Sequence, residues 1–415
     1  MKPVAIDPKP KIPREIWVLV IAAFVIAVGF GIIAPVIPQF AMSFGVGMAA
    51  AGAVVSVFAG TRLLFAPMSG TLVDAIGSRG VYITGLWLVA ITTIMCFFAQ
   101  EYWQLMLFRG LSGFGSTMFT VSAMGLVVRL SPPTIRAKCS SAYASGFLFG
   151  NIVGPILGSV LAVFGMRMPF LIYGIFVTIA AVMVWLLLPS NVGKPATGSA
   201  VVPPMRFADA WASRAYRASL VSGFAHGWTN FGVRVAVVPL FAATAFSNGP
   251  AVAGLAMTAF AVGNAVVLQF SGRLADTYGR KPLILCGLVI NGLSTAVFGY
   301  AHDFTLLLVA SAVAGAGAGL LNPAQQAVMA DIVGTHSSGG KVLAYFQMSM
   351  DFGAVLGPII IGAAAQAFGF GPAFVLCGAL SLVATLAWIA APETLTGGAA
   401  RRKAEGDLGR DLGEE

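Results

Sequence analysis

The chain has 415 residues, 58% of them hydrophobic and 9% charged, with a mean hydropathy of +0.90 and a formal net charge of +9. A soluble domain of this length needs far more charge to cover its surface, so that class is excluded. The four cysteines, Cys96, Cys139, Cys286 and Cys377, are scattered in or beside apolar runs. They show no metal-ligand spacing and read as small buried hydrophobes.

Residues 1–16 are rich in Pro and Lys and lack a short apolar core with a cleavage site, so they read as a cytoplasmic tail. Apolar runs of bilayer-spanning length then predict twelve spans, at 17–40, 49–70, 80–99, 103–129, 138–162, 168–189, 217–243, 251–272, 282–301, 304–330, 341–365 and 371–391. The stretch 190–216 is Pro/Gly-rich, basic and polar, and divides the spans six and six. The expected organisation is therefore an N-terminal bundle over 17–189, a cytoplasmic linker over 190–216 and a C-terminal bundle over 217–391. The charged tail 392–415 is expected to be disordered.

Of the 24 Lys and Arg, Arg62, Arg109 and Arg234 fall within spans and Arg167 lies in an odd-to-even connection. The other twenty sit in the tails and in the connections after even-numbered spans. By the positive-inside rule those segments are cytoplasmic, which predicts a multi-pass protein of the inner membrane with both termini inside. The excess charge is thus a topology signal with some attraction to anionic lipid, and not a nucleic-acid footprint.

In span 1, the run Gly29–Pro38 places Pro35 and Pro38 three apart beside Gly31, which predicts a bend near the outer end. Span 7 echoes it from Phe231 to Pro239. Span 2 carries Arg62, 12 residues before Asp74 and so ~18 Å along the helix. A cation at that depth must face protein or a water-filled cavity and have a partner.

The segment after span 2, Gly70–Arg79 (GTLVDAIGSR), returns after span 8 as Gly272–Lys281 (GRLADTYGRK). Gly70/Gly272, Leu72/Leu274, Asp74/Asp276 and Gly77/Gly279 all lie 202 positions apart, the mark of a transporter built from two related halves. The glycines suit tight turns and close helix approach, and the Asp and basic residues suit ion pairs. In the second copy Asp331 is available to Arg280, with Lys281 alongside. In the first, Arg129 stands where Asp331 would be, and Asp74 is expected to pair with Arg79 or Arg129.

Span 4 contains Arg109 followed by Gly113 and Gly115; the Arg can hydrogen-bond backbone carbonyls, and the R-G-x-x-G-x-G run resembles the fourth-helix motif of the major facilitator superfamily, which implies a part for Arg109 in proton transfer. Span 5 places Gly146, Gly150, Gly154 and Gly158 every four residues with Pro155 among them, giving one smooth face for a neighbour. Asn230 on span 7, Asn264 on span 8 and Gln325 on span 10 are candidate polar contacts in a substrate cavity. His226 reads as a histidine at headgroup level. Asp351 in span 11 is the one deep carboxylate, 10 residues past Lys341 and ~15 Å in. It is the candidate proton carrier, with Arg62 as the first candidate partner and Arg234 or Arg109 as alternatives; a static bridge between halves is the competing reading.

The G-x-L-x-D-x-x-G pattern resembles the loop between helices 2 and 3 of the major facilitator superfamily. The span 1, span 4 and span 5 motifs are similar to those of its twelve-helix drug:proton antiporter branch. Ala75 and Ser78 depart from the family pattern, which usually has basic residues there. The resemblance implies an all-α membrane protein of twelve helices in two pseudo-symmetric six-helix bundles. It implies a monomer without a cofactor or metal, whose partners are a small molecule, protons and the bilayer. The expected activity is proton-coupled efflux of hydrophobic or amphipathic compounds. The alternatives are an uptake symporter on the same fold and a non-transporting receptor or scaffold. No nucleophile with a base and no His/Cys metal constellation is visible in the spans, so an enzyme is not expected.

Overall fold

A backbone segment in hydrocarbon has no water to bond, so each apolar run closes its own hydrogen bonds as a helix. The computed structural model describes residues 12–131, 136–161, 164–189, 205–333 and 340–395. In chain order the helices are α1 (Arg14–Ile33), α2 (Ile37–Met42), α3 (Met48–Ile76), α4 (Ser78–Phe98), α5 (Tyr102–Leu130), α6 (Arg136–Leu161) and α7 (Met168–Leu187). There follow α8 (Phe207–Ala212), α9 (Arg214–His226), a π-helical segment Gly227–Val233, and α10 (Arg234–Ala245). Then come α11 (Gly249–Tyr278), α12 (Arg280–Val297), a 3₁₀ turn at Phe298–Tyr300, α13 (Phe304–Val333), α14 (Gly340–Phe368) and α15 (Phe370–Ile389).

Ten helices among the described residues are long and apolar enough to cross a membrane. Two of the twelve expected spans look different. In α6 the described residues give an apolar stretch over Ala142–Gly158. Span 7 is divided by the π-helical segment between α9 and α10. Span 1 also differs from a single helix: α1 ends at Ile33, and α2 restarts with Pro38 in its first turn. Pro35 and Pro38 each lack an N–H, so the chain turns over Ala34–Val36 and does not merely bend.

The described residues form two compact units, one of residues up to 33 with those from 64 to 189, the other of residues 34–63 with those from 205 to 395. The division falls inside α3. The cause is packing. A Cβ at Gly52 of α3 would lie 2.6 Å from the Pro358 carbonyl of α14, and α2 packs on α10.

Within the first unit α1 packs on α6 and α7, and α4 packs on α5 and α7. Within the second, α14 packs on α9 and the π-helical segment, and α12 packs on α13 and α15. The same pairings thus occur in each half, and they repeat in detail. Gly85 of α4 and Gly115 of α5 press their backbones together, each Cβ position lying 2.7–2.8 Å from the other's carbonyl oxygen. Gly287 of α12 and Gly317 of α13, both 202 residues later, do the same at 2.7–2.9 Å.

The turns between α3 and α4 and between α11 and α12 are made at Gly77 (φ +85°) and Gly279 (φ +102°). Only glycine adopts such φ values without strain, which accounts for its place in both copies of the repeat. Gly70 and Gly272 are a different matter. They lie inside α3 and α11 with no described atom within 4 Å of a Cβ built on them.

Candidate functional site

The second unit holds a buried polar ladder on one helical face. Ser222, His226, Asn230 and Arg234 recur every four residues along α9, the π-helical segment and α10, so they stack on one side. All four are buried. The Asn230 amide donates to His226 Nδ1 at 3.2 Å, and its Oδ1 accepts from Asn291 Nδ2 of α12 at 3.1 Å and Arg234 Nη2 at 3.4 Å. Asn291 also donates to the Ala314 carbonyl of α13 at 3.0 Å. One turn below, the Ser222 hydroxyl accepts from Gln325 Nε2 at 2.6 Å and Trp388 Nε1 at 2.9 Å. The ladder therefore ties α9 and the π-helical segment to α12, α13 and α15.

His226 is 4% exposed and packed in the interior of the second unit. The helix begins at Arg214, earlier than the apolar run suggests, so His226 lies ~18 Å along it. Asn230 and Gln325 join this buried network, whereas Asn264 sits on α11 with its backbone against Gly315 and Gly319 of α13. Asn291, Ser222 and Trp388 were not anticipated. Each is a single polar group in an apolar run and carries no spacing signal of its own.

Arg234 is the charged member. Its guanidinium carbon stands 3.8 Å from the Phe260 ring centroid and 5.2 Å from that of Phe298, and the residue is 5% exposed. Ring quadrupoles supply ~0.5–2 kcal/mol, against an insertion cost of ~2.5–3.5 kcal/mol for an Arg at membrane depth. Aromatic contact alone does not offset the burial. Among the described residues no carboxylate forms an ion pair with Arg234, and its Nε is buried without a hydrogen-bond acceptor.

Asp351, on α14, accepts from Gln347 Nε2 one turn earlier at 3.2 Å, and Arg62 of α3 acts on it electrostatically. Both belong to the second unit, because residues 34–63 group there. Arg109 lies in the first unit, 2% exposed, with Cys96 of α4 and Tyr173 of α7 in its electrostatic environment.

At the α11–α12 turn Arg280 pairs with Asp276 and stands 3.4 Å from Asp331. Thr394 Oγ1 donates to Asp331 at 3.0 Å. Glu393, which sequence reasoning did not single out, accepts from the backbone N–H groups of Arg280 at 2.9 Å and Lys281 at 3.0 Å, the open N-terminus of α12. Burial alone would raise its carboxyl. Backbone N–H bonds from Leu395, Arg280, Lys281 and Thr394 outweigh that and hold it below the ordinary carboxylate range.

Lys281 Nζ donates to the carbonyls of Ile389 at 2.9 Å and Ala391 at 2.7 Å, at the end of α15. Arg79, its counterpart 202 positions earlier, donates to the carbonyls of Trp185 at 2.8 Å and Leu188 at 2.9 Å, at the end of α7. Both cations neutralise a helix C-terminus. The Asp74 side chain lies outside the described residues, and Arg129 occupies the exposed last turn of α5.

The α6 glycines meet α1 in register. Cβ atoms on Gly146, Gly150, Gly154 and Gly158 would lie 2.5–2.8 Å from the carbonyl oxygens of Val20, Phe24, Val28 and Ile32. Gly31 belongs to the same contact, against Gly154 and Pro155. Gln39 donates its amide to the carbonyls of Pro35 and Pro239, both at 3.2 Å.

Comparison with known proteins gives the same architecture. The sequence profile of the Major Facilitator Superfamily matches residues 19–219 and 219–410. The chain is 24% identical over 355 residues to the quinolone resistance protein NorA of Staphylococcus aureus strain COL, covering 84% of this chain and 89% of that protein. It is 25% identical over 374 residues to the multi-drug resistance efflux pump PmrA homolog of Lactococcus lactis subsp. lactis, covering 87% and 91%. Among solved structures, a POT family transporter in complex with 5-aminolevulinic acid superposes with a TM-score of 0.76 at 14% identity, over 90% of this chain and 95% of that one.

Proposed function

The chain, matched by the family profile in both halves, belongs to the Major Facilitator Superfamily, and from that premise we propose that it is a proton-coupled exporter of small hydrophobic or amphipathic compounds. It is a multi-pass membrane transporter of small molecules and not an enzyme. On the proposed reading it crosses the inner membrane twelve times, with α6 and the continuous stretch Arg214–Ala245 as the two spans beyond the ten. Both termini are cytoplasmic, and two six-helix bundles work by alternating access as a monomer.

The observation that carries the outward direction is the α6 glycine face. Its G-x3-G-x3-G-P-x2-G spacing is the one that resembles exporting branches, and it forms an interlocked contact with α1. A helix pair packed backbone to backbone moves as one body, as rocking of bundles requires. The names of the efflux relatives support the same direction.

In the cycle, Asp351 takes the proton. Neutral, it is released from the field of Arg62; ionised, it is held by Arg62 and Gln347. Each state favours one orientation of the bundles, and substrate is exchanged for the proton between them. The membrane potential contributes ~2.3 kcal/mol per charge per 100 mV. The clasp of Asp276, Arg280, Asp331 and Glu393, with Lys281 and Arg79 on their helix ends, holds the cytoplasmic face in one of the two orientations.

The test is proton release on adding lipophilic compounds to energised everted vesicles, wild type against Asp351→Asn. Release that disappears in a folded Asp351→Asn protein is expected. Undiminished release would remove Asp351 from the coupling path, and absence of release from the wild type with every compound would contradict antiport.

A further inference from the structure

We propose that Arg234 is the anion-recognising residue of the transport site, so that the preferred substrates carry a carboxylate on an aromatic or amphipathic body. The proposal rests on the transporter reading above and names its substrate class.

Arg234 lies at the boundary of the π-helical segment and α10, and π-helical turns are concentrated at functional sites. The local backbone is held there by contact, since a Cβ at Gly232 would meet Pro358 Cδ at 2.8 Å and one at Gly357 the Trp228 carbonyl at 2.8 Å. The guanidinium stays charged at any physiological pH.

Its surroundings supply everything but a counter-charge. Phe260 and Phe298 offer ring faces, and Asn230 offers one carbonyl oxygen at 3.4 Å, which is shared with Asn291. His226 is engaged by the Asn230 amide through Nδ1. Among the described acids of the second unit, Asp276 and Asp331 engage Arg280, Glu393 accepts at the start of α12, Asp303 accepts from the Leu306 N–H, and Asp351 accepts from Gln347.

A buried Arg with an unused Nε and no acid partner among the described residues is what a bound carboxylate completes, by parallel N–H···O bonds to the planar fork. The adjoining Phe rings then suit an aromatic body stacked beside the guanidinium.

The experiment measures binding to the purified full-length protein in nanodiscs, using a fluorescent aryl carboxylate and its methyl ester. The pair differs by the charge and one methyl group. Wild type is expected to bind the acid about tenfold or more tightly than the ester, the equivalent of one charge-assisted contact. Arg234→Gln should bring the ratio to about one while ester affinity is retained, and Arg234→Lys should keep part of the preference.

Equal affinity of wild type for acid and ester overturns the inference, with no variant required, and leaves the efflux reading standing. Competition by chloride as effective as competition by the aryl acid assigns the site to a free inorganic anion and also overturns it. Acid preference without proton-linked transport in vesicles would contradict the efflux reading and leave the Arg234 assignment in place.

Discussion

Glu393 shows how one side chain outside the apolar spans can couple two distant segments. Its carboxylate caps the start of α12 from just beyond α15, through the N–H groups of Arg280 and Lys281. Because its folded pKa lies below the ordinary 4.5, the stabilisation is fully present above that value. It is lost as the pH falls through the lower, folded value. Thermal midpoints of the purified protein between about pH 7 and about pH 3 should therefore drop in wild type. In Glu393→Gln they should start lower and change less. Asn230 makes the second residue-scale case. Asn230→Leu deprives Asn291, His226 and Arg234 of partners at once and should cost about 1–3 kcal/mol in denaturant or thermal unfolding. Asn264→Leu, outside that network, should stay within about 0.5 kcal/mol.

Among helices, the contact of α6 with α1 is the most constrained feature. Four glycines face four carbonyls at the same four-residue interval, so neither backbone can retreat without losing the other three contacts. Gly150→Val should destabilise by at least the ~1–3 kcal/mol of ordinary overpacking, read as a lower melting temperature and lower yield. Gly70→Ala, a helical glycine with no described atom near its absent side chain, is the matched control and should be neutral or stabilising. This pair of glycines also shows what could be read in advance. The α6 interval is a periodic signal and points to an interface, and the turns at Gly77 and Gly279 follow from a repeat 202 residues apart. Gly70 and Gly272 share that repeat, yet their spacing carries no statement about what they face. The π-helical insertion was invisible for a related reason: it changes the phase of a helix that is apolar on most sides, where phase leaves little trace in the sequence.

Across the whole molecule, the repeat is physical as well as textual. The α4–α5 and α12–α13 glycine crossings match at an offset of 202, and Arg79 and Lys281 each cap the last helix of their half. The halves differ where chemistry is concentrated. The second has Asp276, Arg280, Asp331 and Glu393 at its turn and the Ser222–Arg234 ladder in its interior. In the first, position 129 is Arg where the second half has Asp331, and Arg109 stands among Cys96 and Tyr173. The family and the transporter class were legible because the chain is a series of long apolar runs with a repeat 202 residues apart. Asn291 and Glu393 were not, since their partners lie 61 and 112–113 residues away. Proton-driven export is the central claim, and an imposed pH gradient tests it without relying on any variant. Proteoliposomes with the cytoplasmic face outward and an acidic interior should accumulate a lipophilic fluorescent substrate, and lose it when the gradient is collapsed. Accumulation only with the gradient reversed, protons and substrate entering together, would contradict the account.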